Sequence, residues 1–143
     1  MIIRDVNMDD LDAVISIDTQ ISGLGKPDYW REIITGYIQD KENRFFLVAV
    51  KDNQVAGFII GEVRAWEFGS ADCGWVFTIG IRPDTRLDGV GSRLLDSLCR
   101  AFRQAGVTKV RTMTARHEHE LMSFFRSQGM MAGPYLQLEK EIE

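Results

Sequence analysis

Ile79-Gly80-Ile81-Arg82-Pro83-Asp84-Thr85-Arg86-Leu87-Asp88-Gly89-Val90-Gly91-Ser92-Arg93-Leu94-Leu95 is the stretch that decides how the chain is read. It opens at the end of an apolar run, Gly74 to Ile81, that fits a strand. Arg82-Pro83-Asp84 ends that strand, because proline supplies no ladder donor. From Gly89 the apolar spacing becomes helical: Val90, Leu94, Leu95, Leu98 and Phe102 share one face, and Gly106 is a natural stop. A strand therefore runs through a glycine-containing turn into a long helix. The first N–H groups of a helix have no acceptor within it and carry partial positive charge, so an anion suits them. Gly89 and Gly91 have no side chains and let a diphosphate approach the main chain closely. Two rival phosphate motifs fail on these residues. A Walker A loop needs Lys and then Ser or Thr after its last glycine, whereas Gly91 is followed by Ser92 and Arg93. A dinucleotide fingerprint needs a third glycine where Leu94 stands, and an acidic residue about 20 positions on; it has neither.

Outward from this turn the chain alternates cleanly. Met1 to Val6 predicts a strand, and Asn7 with Asp10 forms a capping-box pattern before a helix carrying Leu11, Val14, Ile15, Asp18 and Ile21. Ser22-Gly23-Leu24-Gly25-Lys26-Pro27 breaks that helix. Pro27 and Asp28 open a second, with Trp30, Ile33, Ile34, Tyr37 and Ile38 on its apolar face. Phe45 to Val50 and Val55 to Val63 predict two strands joined at Asp52-Asn53 as a hairpin. Arg64 to Asp72 is looser. After the long helix come a strand over Val107 to Thr114, a helix over Glu118 to Ser127 stopped by Gly129, and a closing strand over Tyr135 to Ile142. No repeat, low-complexity segment or linker interrupts the order, which predicts one α/β (α+β, mixed-sheet) domain over 1–143.

The totals remove several function classes. The 143 residues suit one sizeable core, and 17 Lys and Arg against 21 Asp and Glu give a net charge of -4. No broad basic field is available for nucleic acid. No stretch is long enough to cross a bilayer, and the first residues lack a signal peptide's apolar core. Cys73 and Cys99 are far apart and belong to no C-x-x-C pair, which argues against a disulfide framework or zinc site and for a reducing, cytoplasmic setting. His117-Glu118-His119-Glu120 makes a poor chelate, since residues two apart on a helix point to different sides. No metal is expected.

The turn Arg86-Leu87-Asp88-Gly89-Val90-Gly91 resembles the R/Q-x-x-G-x-G/A signature of the GNAT superfamily of N-acetyltransferases, and the flanking strand, proline and Leu94-Leu95 pair fall in register with it. The order of elements resembles that family over nearly the whole chain. The resemblance implies a GNAT-like acyl-CoA N-acyltransferase fold: a central, mostly antiparallel sheet with splayed middle strands, flanked by helices. It also implies acetyl-coenzyme A as co-substrate. The amides of Leu87, Asp88, Gly89, Val90 and Gly91 would hold its pyrophosphate, with Arg86 and Ser92 bounding the turn. The pantetheine arm would lie between the strand ending at Ile81 and the one starting at Val107. There it pairs with main chain at Ile79-Gly80-Ile81 as an added strand does, and a main-chain donor in that strand stabilises the oxyanion.

Transfer to an amine needs a neutral nucleophile held close to the thioester, a base, and a proton for the thiolate. Glu62, near the end of its strand, is the first candidate base and Asp72 the second. The segment before Gly129 resembles the family's N-x-x-A-x-x-x-Y-x-x-x-G-F run, but its tyrosine falls on Phe125 and its asparagine on Glu118. The usual acid is therefore missing, which leaves water or another group, such as Tyr135 from the last strand, to protonate the thiolate. Asp88 is a second departure, since many relatives carry a basic residue or glycine there; Arg82, Arg86 and Arg93 keep the neighbourhood positive. The acceptor channel would be roofed by Ser22–Asp28 and Arg64–Ala71. Glu62, Glu67, Asp72 and Asp28 favour a cationic amine, whether a small molecule or a peptide amine. The resemblance allows a homodimer, and it equally allows a non-catalytic coenzyme A-binding or sensor module.

Overall fold

The computed structural model describes residues 1–65 and 71–143, except for the side chain of Leu87. The chain divides into two compact units, Met1–Met113 and Thr114–Glu143.

The first unit holds five strands, β1 (Ile2–Asp5), β2 (Arg44–Lys51), β3 (Gln54–Ala65), β4 (Asp72–Ile81) and β5 (Val110–Thr112), ordered β1-β2-β3-β4-β5. Every pairing is antiparallel except β4 with β5, which is parallel. Its helices are α1 (Leu11–Ser22), α2 (Pro27–Gln39) and α3 (Val90–Gln104). The capping pattern at Asn7 is realised: its side chain accepts from Asp9 N–H, and its own N–H donates to the Asp10 carboxylate. Arg4 grips the same carboxylate at 2.8 and 2.9 Å. Burial opposes charge on Asp10, yet the Arg4 hydrogen bonds prevail and hold it below the usual carboxylate range.

The pleat sends alternate residues to opposite faces. Phe46, Val48, Phe58 and Ile60 meet Leu11, Val14 and Ile17 of α1 and Trp30, Ile34 and Tyr37 of α2 in one buried cluster. Ile17 rather than Ile21 completes the α1 stripe; Ile21 is 48% exposed. Asp18, predicted on the apolar face, accepts from Trp30 Nε1 at 2.9 Å and pairs with Lys26 at 3.0 Å. On the other face, Val90, Leu94, Leu95, Leu98 and Phe102 of α3 are all buried, as their spacing predicts. Gly74 is obligatory there, because a Cβ would sit 2.2 Å from the Phe102 ring.

Two features of the sheet position the site. The β2–β3 hairpin turns on Asp52 and Asn53, both at positive φ (52° and 62°), the pair of left-handed residues a two-residue type I′ turn requires. In β4, Ile60 faces Thr78 but Gly61 faces Val76, so Phe77 is the extra residue of a bulge. β5 pairs only with Gly74, Trp75 and Val76. Beyond the bulge β4 has no register with β5, which is the splay the fold class predicts.

The second unit contains α4 (His119–Ser127), begun at Glu118 and closed by Gly129 in left-handed backbone. Two expectations are corrected. The strand over Val107–Thr114 is only Val110–Thr112. Tyr135–Ile142 forms no strand: Leu136, Leu138 and Ile142 are 75%, 85% and 93% exposed. An alternating pattern becomes a strand only where a partner accepts its main-chain bonds.

Candidate functional site

The segment from Arg82 to Gly91 is bolted to the start of β3 before it reaches α3. Arg82 N–H donates to Ala56 C=O at 2.8 Å, and Thr85 N–H returns to Arg82 C=O at 2.9 Å. Thr85 is buried, and its hydroxyl donates to Arg82 C=O at 3.0 Å. Pro83–Asp88 then makes a tight 3-10 stretch that ends on Gly89 at φ 77°, ψ 16°. A Cβ on Gly89 would touch nothing within 4 Å, so glycine is needed for its backbone angle rather than for space. The first α3 bond runs from Arg93 N–H to Gly89 C=O. The amides of Val90 and Gly91 come earlier in that first turn, where helix geometry offers no acceptor within the helix. Leu87, Asp88, Gly89, Val90 and Gly91 thus form one bend at a helix N-terminus, flanked by Arg86 and Ser92.

Hydrogen-bond direction in β4 completes the geometry. Since Arg82 N–H points at β3, alternation turns Gly80 and Thr78 the same way and aims the main-chain groups of Ile79 and Ile81 at the opposite edge. That is the edge β5 leaves after Val76. Ile79, Gly80 and Ile81 lead straight from this edge to the bend.

The hairpin tip adds residues that the sequence reading missed. Lys51 Nζ lies 2.6 Å from Asp88 Oδ2, and Arg82 reaches both Asp84 (3.2 Å) and Gln54 (2.8 Å). The register Lys51↔Gln54 fixed by Asp52-Asn53 was legible, but not that the tip meets the bend.

Glu62 sits on β3 between Arg44 of β2 and Trp75 of β4, at the level where β4 still pairs with β5. It stands in a network: Tyr37 Oη donates to it at 3.4 Å, and Arg44 and Arg64 pair with it at 3.6 and 3.7 Å. The Arg44 guanidinium also stacks 4.2 Å over the Tyr37 ring. Tyr37 is pushed up to about 12, first by burial and then by the charge of Glu62. Beside this network an open groove of about 540 Å³ is lined by Asp40, Glu42, Asn43, Arg44, Glu62 and Val63. Helical spacing alone presents Tyr37 as a packing residue of α2. Asp72 is exposed at the start of β4, opposite Ala65, three residues or about 10 Å from Trp75. The structure does not bring it to Glu62.

The remaining candidates lie in the second unit. Glu118 precedes α4 with its carboxylate 3.7 Å from His117 Nε2, Phe125 is buried on α4, and Tyr135 is 52% exposed. Of the expected roofing loops, Ser22–Asp28 is the connection from α1 to α2. The other, Arg64–Ala71, is described only at its ends; Trp66 and Glu67 lie outside the described residues. Among the described residues no three His, Cys, Asp or Glu are grouped to hold a metal ion, and no helix is long and apolar enough to cross a membrane.

The acetyltransferase (GNAT) family model matches residues 11–130. The chain belongs to the GNAT family. Solved structures share the fold over nearly the whole chain. An aminoglycoside 6'-N-acetyltransferase from Acinetobacter haemolyticus, in its apo form, superposes with a TM-score of 0.83 at 17% identity, covering 100% of both chains. The aminoglycoside N-acetyltransferase AAC(6')-Iy in complex with coenzyme A gives 0.86 at 16% identity, over 98% of this chain and 93% of the other. A transcriptional regulator from Bacillus halodurans gives 0.84 at 15% identity, over 99% of each. No curated protein sequence matches significantly.

Proposed function

We propose that this GNAT chain is an acetyl-CoA-dependent N-acetyltransferase, one domain over residues 1–143, that transfers the acetyl group to a primary amine by direct attack in a ternary complex. The observation that carries the reading is the continuity of an open β4 edge at Ile79 and Ile81 with the bend at Gly89–Gly91. One line of main-chain donors can take an extended amide-bearing arm and then its diphosphate. The residues fit that co-substrate: the loop is pinned in advance by Arg82 and Thr85, and Gly89 takes the left-handed angle that joins the 3-10 stretch to the start of α3. The family match spans 11–130, and a structural neighbour was solved with a bisubstrate analogue joining coenzyme A to acetylneamine. That neighbour supports a small-molecule amine as acceptor. Free, separated Cys73 and Cys99 support work in a reducing, cytoplasmic setting.

Glu62 is the base, acting through a bound water. It stands on β3 opposite Trp75, short of the stretch of β4 that β5 leaves, so a bound water rather than direct contact would carry the proton. Tyr37, Arg44 and Arg64 orient its carboxylate. The exposed Asp72 is the weaker choice. With Phe125 unable to give a proton, the thiolate takes its proton from water or from Tyr135.

The test is release of free thiol from acetyl-CoA, above hydrolysis, across a panel of amines that includes aminoglycosides, polyamines and peptide N-termini. Amine-dependent release is the expected result. Tight binding of acetyl-CoA with no release for any amine would favour a non-catalytic sensor module.

A further inference from the structure

Resting on the reading that the bend takes a coenzyme A diphosphate, we propose that Lys51 of the β2–β3 hairpin is part of the anion-binding device through Asp88, neutralising that carboxylate so that it does not repel the ligand. Asp88 immediately precedes Gly89 and the N-terminus of α3. A carboxylate there draws on the same positive helix end that a diphosphate would use, and repels the ligand directly. Within about 7 Å of a doubly charged group in water, such a carboxylate weakens affinity roughly tenfold. Lys51 meets it at 2.6 Å.

The pair is fixed from both sides. Lys51 is the last residue of β2, and its register with Gln54 is set by the left-handed Asp52 and Asn53. The Asp88 side is held by Arg82 N–H on Ala56 C=O, by Arg82 on Gln54, and by Thr85 on Arg82. The hydrogen bond to Asp88 raises the Lys51 ammonium above its ordinary range. Both side chains are more than a third exposed, so the pair adds little to folding, and its position beside the bend is the feature left to explain.

The experiment is calorimetric titration of the full chain with coenzyme A, using wild type, Lys51→Gln, Asp88→Asn and the double variant, each checked by its melting curve. Lys51→Gln should weaken binding about tenfold, because it uncovers Asp88. Asp88→Asn should tighten it several-fold, and the double variant should return to within about threefold of wild type. Unchanged binding in both single variants would overturn the inference while leaving the reading of the bend intact. So would a Lys51→Gln loss that persists undiminished in the double variant, which would make Lys51 a direct ligand. Absence of binding by wild type would overturn both.

Discussion

Replacing Gly74 with alanine drives a methyl group into the ring of Phe102. The added carbon would lie 2.2 Å from Cδ2, 2.4 Å from Cε2 and 2.6 Å from Cγ. Carbon atoms pack at about 3.5–4.0 Å, so the ring must retreat by more than 1 Å. It has little room, being 2% exposed and wedged edge-on against Phe45 at 5.7 Å. Overpacking of this kind costs typically 1–3 kcal/mol, and the overlap places Gly74→Ala near 3. For a chain of this size that lowers Tm by roughly 6–12 °C. Phe102→Leu alone leaves a gap and costs about 1–2 kcal/mol. Combined, the smaller side chain vacates the space the methyl needs, so the two costs should not add and the double variant should be about as stable as Gly74→Ala. The coupling should be about 1–2 kcal/mol, read by thermal and urea unfolding. Melting of Gly74→Ala within 2 °C of wild type, or strict additivity in the double variant, would refute the packing described for this face.

Glu62→Gln should lower kcat about 100-fold with little change in KM for acetyl-CoA, whereas Asp72→Asn should stay near wild type; steady-state kinetics separate the two carboxylates. Asp10→Asn should cost about 2–3 kcal/mol at neutral pH, because it weakens the bonds from Arg4 and Asn7. Since folding lowers the Asp10 carboxyl, its contribution is complete above about pH 4 and fades as pH falls through the folded value, so wild type and variant should converge in acid urea titrations. Gly89→Ala should cost about 1–2 kcal/mol through its φ of 77° alone, and Gly89→Asn less; equal stability of all three would contradict the left-handed bend.

The sequence made legible whatever local chemistry dictates. The buried face of α3 follows from the spacing of Val90, Leu94, Leu95, Leu98 and Phe102, and the hairpin follows from Asp52-Asn53. The bend follows from two glycines after a proline-terminated strand. What escaped depends on distant partners. Phe77 looks like any strand residue until Ile60 and Gly61 show that it is a bulge. Lys51 and Asp88 are 37 positions apart and meet only because Arg82 and Thr85 tie the loop to β3. Helical spacing marks Tyr37 as core, whereas its hydroxyl meets Glu62 only because α2 lies on the sheet. Tyr135 to Ile142 shows the converse: alternation without a ladder partner is not a strand.

The claim that the main chain around Gly89–Gly91 receives the diphosphate is tested most directly by titrating coenzyme A into wild type and Gly91→Glu. A glutamate near a helix N-terminus suits the helix dipole, so the variant should melt with wild type while its side chain fills the approach with negative charge. Saturable binding by wild type and none by the folded variant is the expected pair of results. Equal binding by the two would place the phosphates elsewhere and contradict the site.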